Sequence, residues 1–365
     1  MGYGIAVLIF IFGGIIVNTV WLIAGMKIGI LLLSLLIIIT SAIIIKTVVN
    51  SIKTTDNKWK KQMAKQKESA EFETIYKYIK TNYTIELEKL RRKLAIHCVI
   101  AGILLIVSLI AEGIIAYKTE MPALGVIGIA LAITYATYGW AKYNKEYQNK
   151  YKKSVIKNFI QTMNSSLKYE NIENAKLYQY YQDAQFQNIY YNNFKSNDYI
   201  SGYIDTAFIE ISDVLLKKKT SEKEGDTVYT CVFSYSKINK SIPKEIRIRN
   251  DRKSKPIQEN RVELDSDEFE KYFDVFCDSQ ILAMEVLTHD IMEDMIQMYN
   301  NCGVNFEVVI KENKIYIRYE VGDIFEGRVF KKSTNEKSLW ICYNTLKFAI
   351  NLTSKVNKVL EEKDV

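Results

Sequence analysis

Residues 94–116 read LAIHCVIAGILLIVSLIAEGIIA. The run holds one carboxylate, Glu112, and one histidine, His97; the rest is apolar or small. A bilayer core about 30 Å thick takes roughly 20 apolar residues in a helix, so this run is long enough to cross. Arg91, Arg92 and Lys93 stand just before it. Just after it, Tyr117 to Glu120 lead into a second apolar run, Met121 to Ala141. So short a link forces the two helices into an antiparallel hairpin.

The same pattern occurs earlier. Ile5 to Ala24 and Ile28 to Ile45 are two apolar runs joined by Gly25, Met26 and Lys27. The first run lacks the basic leader of a signal peptide, and a second span follows at once. The expected fold class is therefore an α-helical membrane region of four transmembrane helices in two hairpins, plus a cytoplasmic α+β domain with an antiparallel sheet. The average composition hides this division. Of 365 residues, 48% are hydrophobic, yet they concentrate in residues 1–50 and 94–141.

Loop charge sets the orientation, because Lys and Arg collect on the cytoplasmic side. Residues 51–93 hold twelve, and Lys142, Lys145, Lys150, Lys152 and Lys153 follow the last span. The opposite loops carry Lys27 and Lys118. Both termini are thus expected inside a multi-pass plasma-membrane protein. The expected domains are a first transmembrane hairpin (1–50), a cytoplasmic amphipathic connector helix (51–93), the second hairpin (94–141), a cytoplasmic helical stalk (142–194) and the α+β domain (195–365).

Composition also narrows the chemistry. The net charge of +7 suits basic cytoplasmic loops, anionic lipid or nucleic acid. Nucleic acid is set aside, given the membrane location and the lack of aromatics interleaved with basic residues. Five scattered cysteines form no C-x-x-C pair, and there are two histidines, so neither a metal site nor a disulfide framework is expected. No cofactor motif is present: the chain has no Walker loop, no G-x-G-x-x-G and no G-x-S-x-G. Few prolines and abundant Lys, Asn, Ile and Tyr match the bias of AT-rich bacterial genomes.

Two ionisable groups fall in the third span. Glu112, about a turn from the outer end, is either an ion or proton site or a near-interface carboxylate beside Lys118. No second acid lies in the spans, which favours the plainer reading. His97, next to the basic run, reads as interfacial. In the fourth span Gly128, Ala132 and Ala136 form a small-residue stripe suited to close helix packing.

Residues 58–93 read as one long helix with an apolar stripe of Phe72, Tyr76, Ile79, Tyr83, Leu87 and Leu90. A matching stripe of Tyr151, Val155, Phe159, Met163 and Leu167 follows the fourth span. The two helices are expected to pack on each other. Lys58, Lys60 and Lys61 surround Trp59 near the second span and form a candidate contact for anionic headgroups.

In residues 195–365 the candidate strands are Tyr203–Ile211, Thr227–Ser234, Glu245–Arg249, Asn305–Ile310 and Lys314–Glu320. The last two are separated by a hairpin signal at 311–313. Candidate helices are 266–273, capped by Asp265 with Glu268, 288–300, capped by Thr288, and 338–361. His289 with Asp290 is read as a helix's first turn, not a metal site. The basic stretch 244–249 would set Arg247 and Arg249 on one face of a strand. With Arg252 and Lys253 they form the second candidate ligand or lipid surface. The acids of 263–278, chiefly Glu263, Asp265, Asp267, Glu268 and Glu270, gather at a helix start.

Several segments together resemble a bacterial family. They are Tyr151 to Ile156, Leu167 to Tyr169, Asn197 to Gly202, Ile209 to Val214, Leu264 to Phe269 with Phe273 to Val275, and Ala283 with Leu287 to Met292. Their order is similar to the family catalogued as domain of unknown function 3137, over about residues 75–350. The resemblance implies membrane attachment and one α+β domain, and no activity. The family usually has one hairpin, so the first pair of spans looks like an addition. Near 228–235, Tyr229 to Ser234 stands where an aromatic-glycine pattern is expected.

The leading expectation is a membrane-anchored cytoplasmic binding or scaffold module without a catalytic residue. Its partner classes are the bilayer, with anionic lipids, and a further membrane or cytoplasmic protein. The alternatives are a membrane-surface enzyme using the 263–278 acids and a small transporter using Glu112.

Overall fold

The computed structural model describes residues 70–119, 123–174, 176–186, 190–218, 227–250, 260–329 and 331–362. The first hairpin, with Lys58, Lys60 and Lys61, and the segment holding Arg252 and Lys253 lie outside the described residues. The chain divides into two compact units. Residues 88–147 are the described part of one, and 70–87 with 148–365 form the other.

The first unit is a pair of helices. Helix α1 (Ala70–Thr119) enters it at Glu88, and helix α2 (Ala123–Tyr151) belongs to it up to Tyr147. Among the described residues one helix is long and apolar enough to cross a membrane, with a mean hydropathy of 2.8 in its most apolar stretch. Ile96, Val99, Ile103, Val107 and Ile110 lie exposed along it. An exposed apolar surface of this kind in water would be costly, and lipid is the solvent that suits it.

In the small-residue stripe Ala132 is buried and Gly128 lies close to Ser108, and His97, expected near the interface, is enclosed by side chains. His97 is buried between Tyr135 and Tyr143, with Nε2 3.4 Å from the Ala136 carbonyl. Gly139 makes room for it, since a Cβ there would collide with the imidazole. Lys93 sits over the Tyr143 ring at 4.7 Å. Glu112 lies on α1, and its side chain is outside the described residues.

The second unit is an α+β domain around a seven-stranded antiparallel sheet. The sheet begins well before residue 195. After α2 come a π-helical turn (Lys152–Ile156), helix α3 (Lys157–Met163), strand β1 (Lys168–Glu170) and helix α4 (Lys176–Asp183). Residues expected as a stalk thus supply an edge strand and a covering helix. Strands β2 (Asn193–Ile204) and β3 (Ala207–Lys218) form a hairpin. The expected single strand 203–211 is broken by its turn at Asp205, whose φ of 53° an aspartate tolerates.

Strand β4 (Thr227–Arg249) merges two expected strands and pairs with β3, with β6 (Asp274–Phe276) and with β7 (Phe306–Tyr319). The hairpin expected at 311–313 does not form. Both arms of β7 pair with the same partner, Lys314 with Lys237 and Glu312 with Ile242, so a bulge replaces the turn. Pro243 lies in the irregular stretch of β4, where a residue without an N–H is tolerated. Strand β5 (Arg261–Val262) closes the far edge on β6.

Alternation splits the two faces of the sheet. Cys231, Phe233, Tyr235 and Tyr316 lie in one cluster with Leu177 and Tyr181 of α4. The other face meets the C-terminal helix α8 (Glu336–Glu362), where the Ser236 and Thr353 hydroxyls lie 2.7 Å apart and Asn239 donates its N–H to Asn357 Oδ1. The start of α1 packs here too. Phe72 meets Trp340 edge-on at 4.9 Å, and Tyr343 donates to Glu71. Two short helices, α5 (Asp267–Glu270) and α6 (Gln280–Val286), precede helix α7 (His289–Cys302). Ser266, not Asp265, caps α5 through its side chain, and Thr288 stands at the α7 N-cap without a side-chain bond.

Candidate functional site

The basic stretch on β4 comes together differently from an open surface. Arg247 is 8% exposed. Its guanidinium donates to Glu307 at 2.8 Å, to Glu245 at 2.7 Å and to the carbonyls of Ala184 and Gln185. Arg249 pairs with Glu307 at 3.3 Å and lies over the Phe276 ring. Arg318 of β7 completes the group, bonding Glu307 Oε2 at 3.0 Å. The expected solvated stripe is therefore a buried knot of three arginines around one carboxylate. Burial pushes the Arg249 guanidinium below the usual arginine value, helped by Arg247 and Arg318 and opposed by Glu307. A polar cavity of about 370 Å³ adjoins it, lined by Arg247, Arg249, Glu245, Asn260 and Asp278.

The acids of 263–278 do not converge. Asp265, Asp267 and Glu268 are exposed, Glu270 accepts from the Leu264 N–H, and Asp274 pairs with Arg261. Among the described residues no group of three or more His, Cys, Asp or Glu side chains is arranged to hold a metal ion.

A second buried charge cluster lies where sequence reading placed no site. The π-helical turn turns Lys152 inward, and 6% of its side chain is exposed. Its ammonium reaches Asp198 at 2.7 Å and Glu326 at 2.6 Å. Asp198 is fully buried at a bulge of β2, with φ 57°. Asn197 donates to its Oδ2 and Tyr169 to its Oδ1. Burial alone would push the Lys152 ammonium down; Asp198 and Glu326 outweigh it and hold the pKa above the ordinary lysine value. Burial, then the nearby Asp198 carboxylate, pushes the Tyr169 phenol up.

Beside this cluster opens a cavity of about 380 Å³. Its wall includes Asn197, Asp213, Thr230, Gly322, Asp323 and Glu326, with Glu173 and Lys195 at exposed positions. Asp213 Oδ1 is sealed from solvent and accepts no hydrogen bond. An unmet buried oxygen costs about 1–3 kcal/mol, more when charged. Burial pushes the Asp213 carboxyl well above the usual range, and Asp198, Asp323 and Glu326 add to the shift.

The same wall is fastened to α2. Gln148 Nε2 donates to the Gly327 carbonyl and Gly327 N–H donates to Gln148 Oε1, both at 2.8 Å. Gln148 and Lys152, one turn apart, thus grip adjacent residues of the loop after β7.

Comparison with known families gives one match. Residues 227–358 match the family described as "Protein of unknown function (DUF3137)". That is the family whose resemblance the sequence carries. The match spans β4 through most of α8, so the earlier segments, from Tyr151 to Val214, lie outside it. No curated protein matches the chain. Among solved structures, similarity extends to the mycobacterial trehalose monomycolate transport factor A, TtfA, at 9% identity and a TM-score of 0.33. It covers 58% of this chain and 92% of that one.

Proposed function

We propose that this chain is a multi-pass membrane protein whose cytoplasmic α+β domain binds a ligand in the cavity beside Lys152 and Asp213. The observation that carries this reading is the grip of Gln148 and Lys152 on Glu326 and Gly327. It ties the cavity wall to a helix that begins in an apolar segment. A ligand that draws on Glu326 or Asp198 would compete with Lys152, and the π-helical turn would feel the change. Loop charge supports cytoplasmic termini, and four apolar runs joined pairwise by short links support two hairpins. Lys58, Lys60 and Lys61 beside Trp59 fit contact with anionic headgroups.

The test uses full-length protein in nanodiscs and a library of small polar metabolites, read by thermal unfolding. A ligand at a hundred times its Kd adds about 2.7 kcal/mol of stability. In a domain of this size that raises Tm by roughly 5 °C or more. Gly322→Val should abolish the shift, because Gly322 lines the cavity and a Cβ there would collide with Thr230 of the same wall. No stabilising compound, or a shift indifferent to Gly322→Val, refutes the assignment. Alkaline extraction and reporter fusions at both termini test the spans and their orientation; a chain released by alkali removes the anchor.

A further inference from the structure

We propose that Arg92, Lys93, Lys142 and Lys145 form a basic collar on the helix pair that binds the headgroups of anionic phospholipids. The inference rests on the membrane reading above and adds the lipid class and the residues that select it. Register carries the first part. Lys93 lies over the Tyr143 ring, a Cβ at Gly139 would collide with His97, and Gly128 lies close to Ser108. Each step of four or eleven residues along α1 is matched by an equal step back along α2, so the pair keeps one antiparallel register. Arg92 and Lys93 therefore stand level with residues 144 and 143. All four cations fall within about 4.5 Å along the helix axis, at about 1.5 Å per residue.

The surface changes in order along that axis. Next to the cations come exposed aromatic side chains, Tyr135, Tyr138 and Trp140, with Tyr138 at 68%. Beyond them the exposed large side chains are apolar, from Ile96 onward on α1 and at Leu131 and Ile127 on α2. Basic, aromatic, then apolar is the order of a membrane interface, where Lys and Arg reach the headgroups and amphipathic rings sit at their level. Tyr138, Lys142 and Lys145 are spaced by four and three, so they share one outward face of α2. Charge selects the lipid. Arg91, Arg92, Lys93, Lys142 and Lys145 outnumber the carboxylates that reach them. Glu88 serves Arg91 and Arg92, and Glu146 lies 3.7 Å from Lys93. Lys142 and Lys145 are exposed, and among the described residues no carboxylate pairs with either. A surplus of cations at headgroup depth favours an anionic leaflet. The aromatic rings and apolar flank favour a lipid over a free phosphate, which would use the charge alone.

The experiment places full-length protein in nanodiscs of a fixed mixture of phosphatidylcholine and phosphatidylglycerol. Bromine is carried high on the acyl chains, either of the phosphatidylglycerol or of an equal amount of the phosphatidylcholine. Bromine quenches nearby tryptophan, and subtracting the Trp140→Phe spectrum isolates Trp140. The expected result is quenching by both lipids, with phosphatidylglycerol preferred by roughly fivefold or more, the effect of about one basic residue near an anionic leaflet. Lys142→Gln with Lys145→Gln keeps Arg91, Arg92 and Lys93 to hold the orientation, and should cut the preference to about half or less. Arg92→Gln should lower it in the same direction, and serves if the double variant does not insert. Lys118→Gln, at the far end of α1, should leave it unchanged. Equal quenching by the two lipids overturns the collar and leaves the helix pair in the membrane. So does a preference that survives both variants. Loss of the preference to inorganic phosphate at matched ionic strength replaces the lipid with a soluble anion. No quenching of Trp140 by either lipid removes the span along with the collar.

Discussion

The domain contains two buried charge clusters of opposite sign, and they differ in how they are closed. Around Glu307, Arg247, Arg249 and Arg318 converge on one carboxylate, and Arg247 also reaches Glu245 and two backbone carbonyls. Around Asp198, a single ammonium serves two acids while Asp213 nearby keeps an oxygen without a donor. The first arrangement joins strands: Glu307 and Arg318 come from β7, Arg247 and Arg249 from β4. The second borders a cavity and a π-helical turn. Density of charge in the sequence pointed at the first. A buried carboxylate oxygen without a donor in the structure points at the second.

Breaking each centre separates the two roles. Glu307→Gln should cause the largest loss, about 3–5 kcal/mol by urea unfolding, because it strands buried guanidinium groups. A loss below about 1 kcal/mol would mean the knot is not the structural element described. Lys152→Met should cost somewhat less, about 3 kcal/mol. Asp198 would keep Tyr169 and Asn197, and the Glu326 side chain is 32% exposed and can turn to water. Gln148→Ala removes the paired bonds to Gly327 and should cost about 1–2 kcal/mol. Its informative readout is ligand response: a Gln148→Ala protein that still binds but no longer protects the π-helical turn from hydrogen exchange would establish the coupling.

Much of the architecture was legible. The apolar length of residues 94–116, the antiparallel α+β pattern and the C-terminal helix follow from periodicity alone. Two errors share one cause, since local turn chemistry was read without its partner strand. Asp205 hid a true turn inside an expected strand. Glu312 looked like a turn and became a bulge, because β4 pairs on both sides of it. The site was less legible because its parts lie far apart, at 152, 198, 213 and 326. One signal was present. In β3, Ile209 and Ile211 are buried, and the alternation puts Asp213 next on that face. A carboxylate at a core position of a strand has to be paired, protonated or used. Arg247 and Arg249 misled for the opposite reason, since nothing in their own segment announces Glu307, sixty residues away.

Asp213→Asn gives the smallest expected effect and the sharpest contrast with Glu307→Gln. The Asp213 carboxyl is pushed above its ordinary value of 3.8 by burial and by Asp198, Asp323 and Glu326. A carboxyl raised on folding binds its proton more tightly in the native state. Its contribution is complete below the unfolded value and declines as pH rises through the folded one. Above the ordinary carboxyl value the ionisable group is therefore a burden to the folded state, and the amide relieves it. The amide keeps the shape and lacks the charge, so stability there should rise by about 0.5–2 kcal/mol. Stability against pH should also flatten above the ordinary carboxyl value, as thermal melts from about pH 4 to 9 would reveal. A gain in stability joined to a loss of ligand binding is the mark of a group kept for function at a structural cost. A loss of stability at every pH would instead put Asp213 in the same class as Glu307, a charge held in place to build the fold.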